Sequence, residues 1–329
     1  MTDAPKPVRV SLVGMGAIGR EVWKALVGRS HVTVVSVVDP ALIGRDAGEV
    51  AGVAGSGVRI VGTVQEGFAP DVDVALLLTT SGTAEMVPTL DAAASAGVDV
   101  VSSCEDLAYA PLATPELARA IDARARQAGV TVLGTGVNPG FVMDRLPLQL
   151  AAACVRVNAV RVERVVDAAK RRGPLRAKVG ADLTPEEFSA GVAARRLGHR
   201  GLPESCALIG VGLRRPLDDI RSVIEPVVTS AANPRAGIAP GRVAGLRQSA
   251  IGIYQGREII RLDLEMSVSA PDPHDRIWID GDPPLDVLIN GGTHGDRGTV
   301  GTVINAIPAV VAASPGLKTV LDLPLYGAD

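Results

Sequence analysis

The stretch "LVGMGAIGR", residues 12–20, decides the fold of this chain. Its three glycines, Gly14, Gly16 and Gly19, follow a Val-rich run and precede residues with the composition of a helix. Between a strand and a helix, the first glycine permits a tight turn and the second lets a pyrophosphate approach the backbone. The third lets the helix pack closely on the strand. The spacing alone is equally compatible with a plain turn, so the neighbouring residues have to decide.

A carboxylate follows at the position where a dinucleotide site needs one. Asp39 ends the next Val-rich run, about twenty residues after Gly19, where an acidic side chain binds the adenosine ribose hydroxyls. It favours NAD, because it would repel a 2′-phosphate, while Arg20 and Arg45 leave NADP open. The alternative is that Asp39-Pro40 only starts a turn. The predicted cofactor-binding loop consists of Gly14, Met15, Gly16, Ala17, Ile18 and Gly19.

The first 140 residues alternate short Val-rich runs with Ala-rich helical stretches, which predicts a doubly wound parallel sheet. The predicted strands are 8–13, 32–38, 72–78, 98–101 and 130–133, and the predicted helices are 17–27, 83–96 and 115–128. We therefore expect a dinucleotide-binding Rossmann domain over residues 1–140.

The rhythm changes after Pro139. Apolar and polar residues alternate over 155–160 and 260–269, a pattern typical of strands with one buried face. Thr184 and Glu187 form a predicted capping box at the start of a helix. We expect an α+β domain over 141–298 with an open mixed sheet. The apolar segment 299–329 is predicted to be helical despite Pro308 and to pack back on the first domain.

Polar residues follow three of the predicted strands, where ligands bind in doubly wound sheets. Thr79, Thr80 and Ser81 are suited to the nicotinamide ribose, or to capping the next helix. Glu105 lies beside the expected nicotinamide position and can act as general acid–base, or it complements a helix N-terminus. Asn138 can direct its amide into the substrate cleft, or the segment is a hinge.

Composition excludes several classes of protein. The net charge is −3 and aromatic residues make up 2%, which argues against a nucleic-acid-binding protein. Three widely spaced cysteines predict neither a disulfide framework nor a metal site. We see no signal peptide and no apolar run long enough to cross a membrane, and we expect a cytoplasmic protein.

Five motifs together carry a resemblance to a known family. They are "SSCEDLAYAP", "GTGVNPGF", "GADLTPEEF", "LGHRGLPES" and "PDPHDRIWIDGDPP". The chain resembles the 2,4-diaminopentanoate dehydrogenases and the related native amine dehydrogenases, within the wider dihydrodipicolinate-reductase-like group. Dihydrodipicolinate reductase itself is a poorer match, since its His-Lys cluster and SGT loop have no counterpart near residues 160–180.

The resemblance implies NAD- or NADP-dependent interconversion of a primary amine with a ketone or aldehyde plus ammonia. It also implies a homodimer built through the sheet of the second domain. The family's catalytic glutamate maps onto Glu105, and its substrate pocket maps onto Asn138, Phe141, Val142 and His199. A carboxylate fits this chemistry, because it can move protons and stabilise an iminium cation that a lysine would repel.

Other functions and roles stay open. A basic cluster, or a solvated loop, at 170–178 suits a diamino-acid substrate, whereas Phe141 and Val142 suit simple amines. A dihydrodipicolinate-reductase-like reductase and a dinucleotide-binding sensor without turnover are further alternatives. Cys104 is expected to fill the core, and His274 to lie in a turn between strands. His294 either contacts the cofactor or caps the last helix.

Overall fold

A computed structural model describes residues 6–69, 71–170, 179–231, 235 and 237–327. The chain forms two compact units. The first runs up to Phe141 and resumes at His294, and the second is Val142–Thr293.

The first unit contains a seven-stranded sheet in the order β13-β6-β5-β4-β1-β2-β3. Every pairing in it is parallel. Its strands are β1 (Val8–Val13), β2 (Val32–Val38), β3 (Ile60–Val61), β4 (Val74–Leu77), β5 (Asp99–Ser102), β6 (Thr131–Gly134) and β13 (Gly316–Lys318). The predicted doubly wound sheet is therefore confirmed.

The helices of this unit cover strands that are buried along most of their length. Val10, Leu12 and Leu76 have no exposed surface, as expected for parallel strands covered on both faces. The helices before the second unit are α1 (Ala17–Leu26), α2 (Ala47–Ala51), α3 (Val64–Gly67), α4 (Thr83–Ala96) and α5 (Pro115–Ala128).

The C-terminal segment completes the first unit, as the sequence predicted. Helix α9 (Gly295–Asn305) contacts α1, and β13 pairs with β6. The segment begins at His294, before the expected boundary at 299, because α9 packs on α1. Pro308 lies in the first turn of a separate helix, α10 (Ile307–Val311), where its missing N–H costs no helical hydrogen bond.

The second unit contains a six-stranded sheet in the order β12-β11-β7-β10-β9-β8. Strands β7 and β10 are parallel and their other neighbours antiparallel, so the predicted mixed sheet is confirmed. Its strands are β7 (Arg156–Asp167), β8 (Asp219–Val228), β9 (Val243–Tyr254), β10 (Arg257–Ser267), β11 (His274–Asp282) and β12 (Leu285–Asn290). Its helices are α6 (Arg145–Ala151), α7 (Pro185–Ala193) and α8 (Leu202–Gly212).

Two predictions made from short sequence patterns in this unit can be compared with the structure, the capping box at Thr184 and the alternation in β7. Thr184 and Glu187 form the predicted capping box of α7. The expected alternation holds at the start of β7, where Val157 and Ala159 are half-buried and Arg156 and Asn158 are exposed, although Val155 precedes the strand and is 89% exposed. It changes phase at Val160, which is buried together with Val162. The reason is a shift of register between β7 and β11 opposite Asp280 and Gly281, which changes the face that the following residues present.

The predicted basic cluster falls largely outside the described residues. Arg171, Arg172, Arg176 and Lys178 are not described, and only the backbone of Lys170 is, at the end of a short 3-10 helix.

Candidate active site

The carboxyl ends of β1, β2, β4, β5 and β6 meet at one edge of the parallel sheet, where ligands bind in this architecture. Each of these strands is followed by residues that the sequence singled out. The backbone links the loops: the N–H of Gly14 donates to Val38 O (2.8 Å), and that of Leu78 to Val13 O (2.9 Å). The loops after β1, β2 and β4 are therefore neighbours.

The glycine loop needs two of its glycines for close packing. Gly14 has φ +99°, and a Cβ there would lie 2.9 Å from both Leu78 O and Thr79 Cγ2. A Cβ at Gly19 would overlap the carbonyl oxygen of Gly14. Any larger residue at either position would move the loop away from the sheet or α1 away from the loop.

Gly16 is different, because a Cβ there would meet no protein atom within 4 Å. It is the N-cap of α1, and no side chain caps this helix. The first N–H groups of a helix and its dipole favour an anion. Open space beside an uncapped helix N-terminus fits the pyrophosphate of a dinucleotide, as the glycine spacing predicts.

Asp39 lies directly after β2 and contacts the glycine loop. Its Oδ2 accepts a hydrogen bond from the N–H of Met15 (2.9 Å), and its Oδ1 accepts one from Ala41 (3.0 Å). The carboxylate is half-buried. Arg20 donates to Met15 O (3.1 Å), so its guanidinium also lies beside the loop.

The threonine–serine segment joins the ends of β4 and β5. Thr80 Oγ1 is 3.1 Å from Glu85 Oε2 and accepts from the N–H of Gly82, while Gly82 provides no side-chain cap for α4. The N–H of Asp106 donates to Ser81 O (3.2 Å). The contact with Asp106 places Ser81 next to the loop that carries Glu105.

Glu105 follows β5 at the same edge of the sheet. It immediately precedes the 3-10 helix Asp106–Tyr109, and its side chain makes no capping bond to that helix. The residue is half-buried. The turn before it is fixed by Ser102, whose hydroxyl donates to Leu77 O (3.1 Å) and accepts from the N–H of Cys104 (3.1 Å).

Cys104 is buried beside Glu105. Burial raises the pKa of its thiol to about 12, so the group is protonated at neutral pH and unsuited to nucleophilic attack. The expectation that Cys104 fills the core agrees with this burial.

The segment after β6 is tightly folded. A Cβ at Gly140, which has φ +123°, would overlap the backbone of Gly136. The N–H of Val137 donates to Thr299 Oγ1 of α9 (3.3 Å), and the Asn138–Pro139 peptide bond is cis. Asn138 is 7% exposed. These contacts hold the backbone that carries the Asn138 amide.

Phe141 and Val142 stand at the division of the two units. Phe141 is half-buried and ends one unit; Val142 is fully buried and begins the other. In the second unit, His199 lies in the loop between α7 and α8 and is half-buried.

The second unit also contains two buried polar pairs that the sequence analysis missed. The Ser205 hydroxyl donates to Asp144 Oδ2 (2.6 Å), which ties α8 to the start of α6. Arg164 and Asp275 form an ion pair of 2.6 Å with 4% and 0% of their side chains exposed. Arg164 lies two residues after Val162 and four after Val160, on the same buried face of β7. A charged residue at this spacing from buried valines was the feature of the sequence that could have indicated the pair.

Two other histidines make structural contacts. His294 caps α9 by accepting from the N–H of Arg297 (3.3 Å). His274 begins β11, so its expected place in a turn is wrong; its ring lies 3.0 Å from Glu163 Oε1. The strand continues to His274 because it pairs there with both β7 and β12.

Within the described ranges, no cluster of His, Cys, Asp or Glu side chains has the arrangement of a metal site. Over the same part of the chain, no helix combines the length and apolar character of a membrane span.

Two family models match the chain. The 2,4-diaminopentanoate dehydrogenase C-terminal domain matches residues 141–328, and the dihydrodipicolinate reductase N-terminus matches residues 8–105. The second match covers the glycine loop, Asp39 and Glu105.

Whole proteins give the same result. A 2,4-diaminopentanoate dehydrogenase from Acetoanaerobium sticklandii is 31% identical, over 97% of this chain and 94% of that protein. An amine dehydrogenase from Streptomyces virginiae is 26% identical, over 96% of each. The structure of an amine dehydrogenase from Mycobacterium smegmatis has the same fold, with a TM-score of 0.84, 24% identity and coverage of 96% of each chain.

Proposed function

The chain belongs to the 2,4-diaminopentanoate dehydrogenase family of NAD(P)-dependent oxidoreductases, and we propose that it interconverts a primary amine with a ketone or aldehyde plus ammonia. One observation carries the reaction: the half-buried Glu105 follows β5 at the edge of the sheet that also holds the glycine loop. A carboxylate at that edge can serve a substrate that loses or gains a proton on nitrogen.

The nucleotide is held by the loop Gly14–Gly19, with its pyrophosphate at the N-terminus of α1 and its ribose at Asp39. Thr79, Thr80, Ser81 and Asn138 are suited to the nicotinamide half, because they follow β4 and β6 at the same edge. When bound, the nicotinamide supplies the acceptor or donor of hydride.

Glu105 moves the protons of the reaction. In the direction of amination, its carboxylate accepts a proton from the nitrogen as ammonia adds to the carbonyl carbon, while the carbonyl oxygen takes a proton from solvent and becomes a hydroxyl group. It returns a proton to the hydroxyl group that leaves as water, and its negative charge stabilises the resulting iminium cation. Cys104 takes no part in this scheme because its thiol is buried and protonated.

The family resemblance assigns the substrate to Phe141 and Val142, whose apolar side chains favour a hydrocarbon substituent, and to His199, which can hydrogen-bond a polar one. Asn138 is also a candidate donor or acceptor for the substrate nitrogen. These four positions are the proposed substrate-contacting residues.

A diamino acid is the second candidate substrate. The observation in its favour is the 31% identity with a 2,4-diaminopentanoate dehydrogenase over nearly the whole chain. Such a substrate carries a carboxylate that needs a cationic partner, and the basic segment 170–178 offers several.

We also propose a homodimer formed through the sheet of the second unit. Arg161 and Arg276 both lie over the ring of Trp278, at 5.0 and 4.7 Å from its centroid. Asp286 pairs with Arg276 at 2.7 Å. Charged and aromatic side chains in such an arrangement are suited to a protein interface.

A substrate panel tests the function. NADH or NADPH oxidation is followed with ammonia and a series of ketones and aldehydes, and the reverse reaction with 2-aminobutane and 2,4-diaminopentanoate. Faster turnover of 2-aminobutane supports a simple-amine dehydrogenase, and turnover restricted to the diamino acid supports the second candidate. Cofactor binding without ammonia-dependent oxidation of NADH or NADPH by any carbonyl compound contradicts both. That result would favour a sensor or, if dihydrodipicolinate is reduced, a reductase of that kind.

A further inference from the structure

Gln248 is a polar residue in an apolar row. It lies on β9 between Leu246 and Ala250, which point to the same face of the sheet and are fully buried. Its cross-strand neighbours are Leu264 on β10 and Ile224 on β8. Gln248 is itself only 3% exposed, and burial of a primary amide is unfavourable unless its hydrogen bonds are satisfied.

Both hydrogen-bonding ends of this amide are used by one residue, His199. The N–H of His199 donates to Gln248 Oε1 (2.9 Å), and Gln248 Nε2 donates to His199 O (3.0 Å). The side chain thus pairs with the main chain of His199 as a neighbouring strand would. It fixes the position and the orientation of that peptide segment through the main-chain atoms of His199 and not through its imidazole.

The backbone around His199 also has a conformation that favours glycine. Gly198 has φ +120° and Gly201 has φ +92°. A Cβ at Gly198 would lie 2.9 Å from Ile224 Cδ1 and 3.6 Å from Gln248 Oε1. The two glycines let a short loop run against β8 and β9, within reach of the Gln248 amide.

We propose that Gln248 is a positioning residue for the amine substrate: it holds the main chain of His199 and so sets the direction of the imidazole in the pocket. This inference rests on the proposed function, because it assumes that His199 contacts the substrate. Gln248 does not touch the substrate itself; it acts through His199.

The substitution Gln248→Glu tests the role most sharply. An ionised carboxylate keeps the acceptor for the His199 N–H, but it replaces the donor to His199 O by a second acceptor, so one hydrogen bond becomes a repulsion. Because burial favours the protonated carboxyl, which can still donate, the variant is assayed at alkaline pH. We expect kcat/KM for the amine to fall about tenfold, as for loss of one hydrogen bond from a positioned group. The KM for the dinucleotide should not change. Gln255→Glu, at the exposed turn after the same strand, is the matched control and should behave as wild type.

A double-mutant cycle separates positioning from a general effect on stability. If Gln248 acts through His199, Gln248→Glu has little further effect on kcat/KM for the amine in a His199→Ala background. If the two losses multiply in full, or if the KM for the dinucleotide rises equally, the proposal is wrong. Thermal unfolding of each variant identifies any that fail to fold.

A second measurement does not depend on turnover. The chain has four histidines, and the imidazole signals of His199 in an NMR pH titration can be assigned by their loss in His199→Ala. Gln248→Glu should shift those signals and leave the signals of the other three in place. Unchanged His199 signals would overturn the proposal. If the His199 signals shift but the wild-type protein turns over no amine, the proposed function is wrong. Gln248 would then still be the residue that holds His199 in place.

Discussion

The carboxylate of Asp39 accepts a hydrogen bond from the main-chain N–H of Met15 across 2.9 Å. This contact joins the end of β2 to the glycine loop after β1, so the proposed ribose ligand and the proposed pyrophosphate site are held at a fixed distance. The second oxygen of Asp39 accepts from Ala41, which restricts rotation of the carboxylate.

Asp39→Asn should change the choice of cofactor. The amide keeps an oxygen for Met15 but removes the negative charge that binds ribose hydroxyls and repels a 2′-phosphate. We expect the ratio of kcat/KM for NAD to that for NADP to fall by about tenfold or more, as for loss of a charged hydrogen bond. Asp91→Asn, exposed on α4, is the control. A wild-type enzyme with a large preference for NADP would contradict the assigned role of Asp39.

Gly16→Ala and Gly19→Ala should have opposite signatures. A methyl group at Gly16 meets no protein atom, so stability should stay within about 0.5 kcal/mol, while dinucleotide affinity falls because the space for phosphate is filled. A methyl at Gly19 overlaps Gly14 O, which should cost about 1–3 kcal/mol of unfolding free energy. Denaturant unfolding and dinucleotide titration measure the two effects. Gly301→Ala, in open space on α9, controls for helix propensity; unchanged affinity in Gly16→Ala would argue against the phosphate site.

Glu105→Gln should abolish proton transfer while preserving shape. We expect turnover to fall by at least about 10²-fold, the usual effect of losing a general acid–base, with dinucleotide binding unchanged. Stopped assays of amine-dependent NADH formation and fluorescence titration of NADH give the two values. Glu116→Gln, exposed on α5, is the matched control. A Glu105→Gln enzyme with near wild-type turnover would refute the acid–base role.

Arg164→Met should destabilise the second unit strongly. Its guanidinium is buried against Asp275 and also donates to Thr293 O (2.6 Å), and burial lowers its pKa. Removal leaves Asp275 buried without its cation, at a cost of about 3–5 kcal/mol in urea unfolding. The double variant Arg164→Met/Asp275→Leu should lose less unfolding free energy than the single variants Arg164→Met and Asp275→Leu lose together. Arg221→Met is the control: it breaks an exposed pair with Asp219 and should cost no more than about 1 kcal/mol of unfolding free energy. Equal losses in Arg164→Met and Arg221→Met would contradict the difference expected between a buried and an exposed ion pair.

The ionised carboxylate of Asp46 should make a pH-dependent contribution to the free energy of unfolding. Its pKa is lowered to about 2, first by the N–H of Ser56 and also by the N–H groups of Glu49 and Gly57 and the Ser56 hydroxyl. Because the pKa is lower in the folded state, the contribution is present in full above the ordinary value and is lost as the pH falls toward 2. Asp46→Ala should therefore melt below wild type at pH 7, and the gap should narrow between pH 4 and pH 2. A gap that stays constant over that range would exclude the ionised carboxylate as its cause.

Much of the fold could be predicted because local sequence and tertiary structure agree. The strand Val8–Val13, the helix Thr83–Ala96 and the cap at Thr184 stand where the pattern indicated them. Parallel strands buried on both faces leave continuous Val-rich runs, and these are easy to recognise. The change of phase at Val160 in β7 could not be predicted, because it depends on the register with the partner strand, which the local pattern does not reveal.

The partners of the buried polar residues in the second unit could not be predicted from the sequence. Arg164, Gln248 and Asp275 each occupy a position in phase with buried apolar residues, so the sequence marks them as unusual. It does not give their partners, since those lie far along the chain: Asp275 for Arg164 and His199 for Gln248.

The first unit is discontinuous in sequence, and this has a consequence for its synthesis. Strand β13 pairs with β6, yet residues 142–293 are translated between the two strands. Most of the first unit therefore emerges from the ribosome before its outer strand, β13, has been synthesised. The second unit is translated in between. Until the C-terminal residues are synthesised, β6 is an edge strand whose backbone groups on that side are unpaired, which makes it a site for non-native strand pairing.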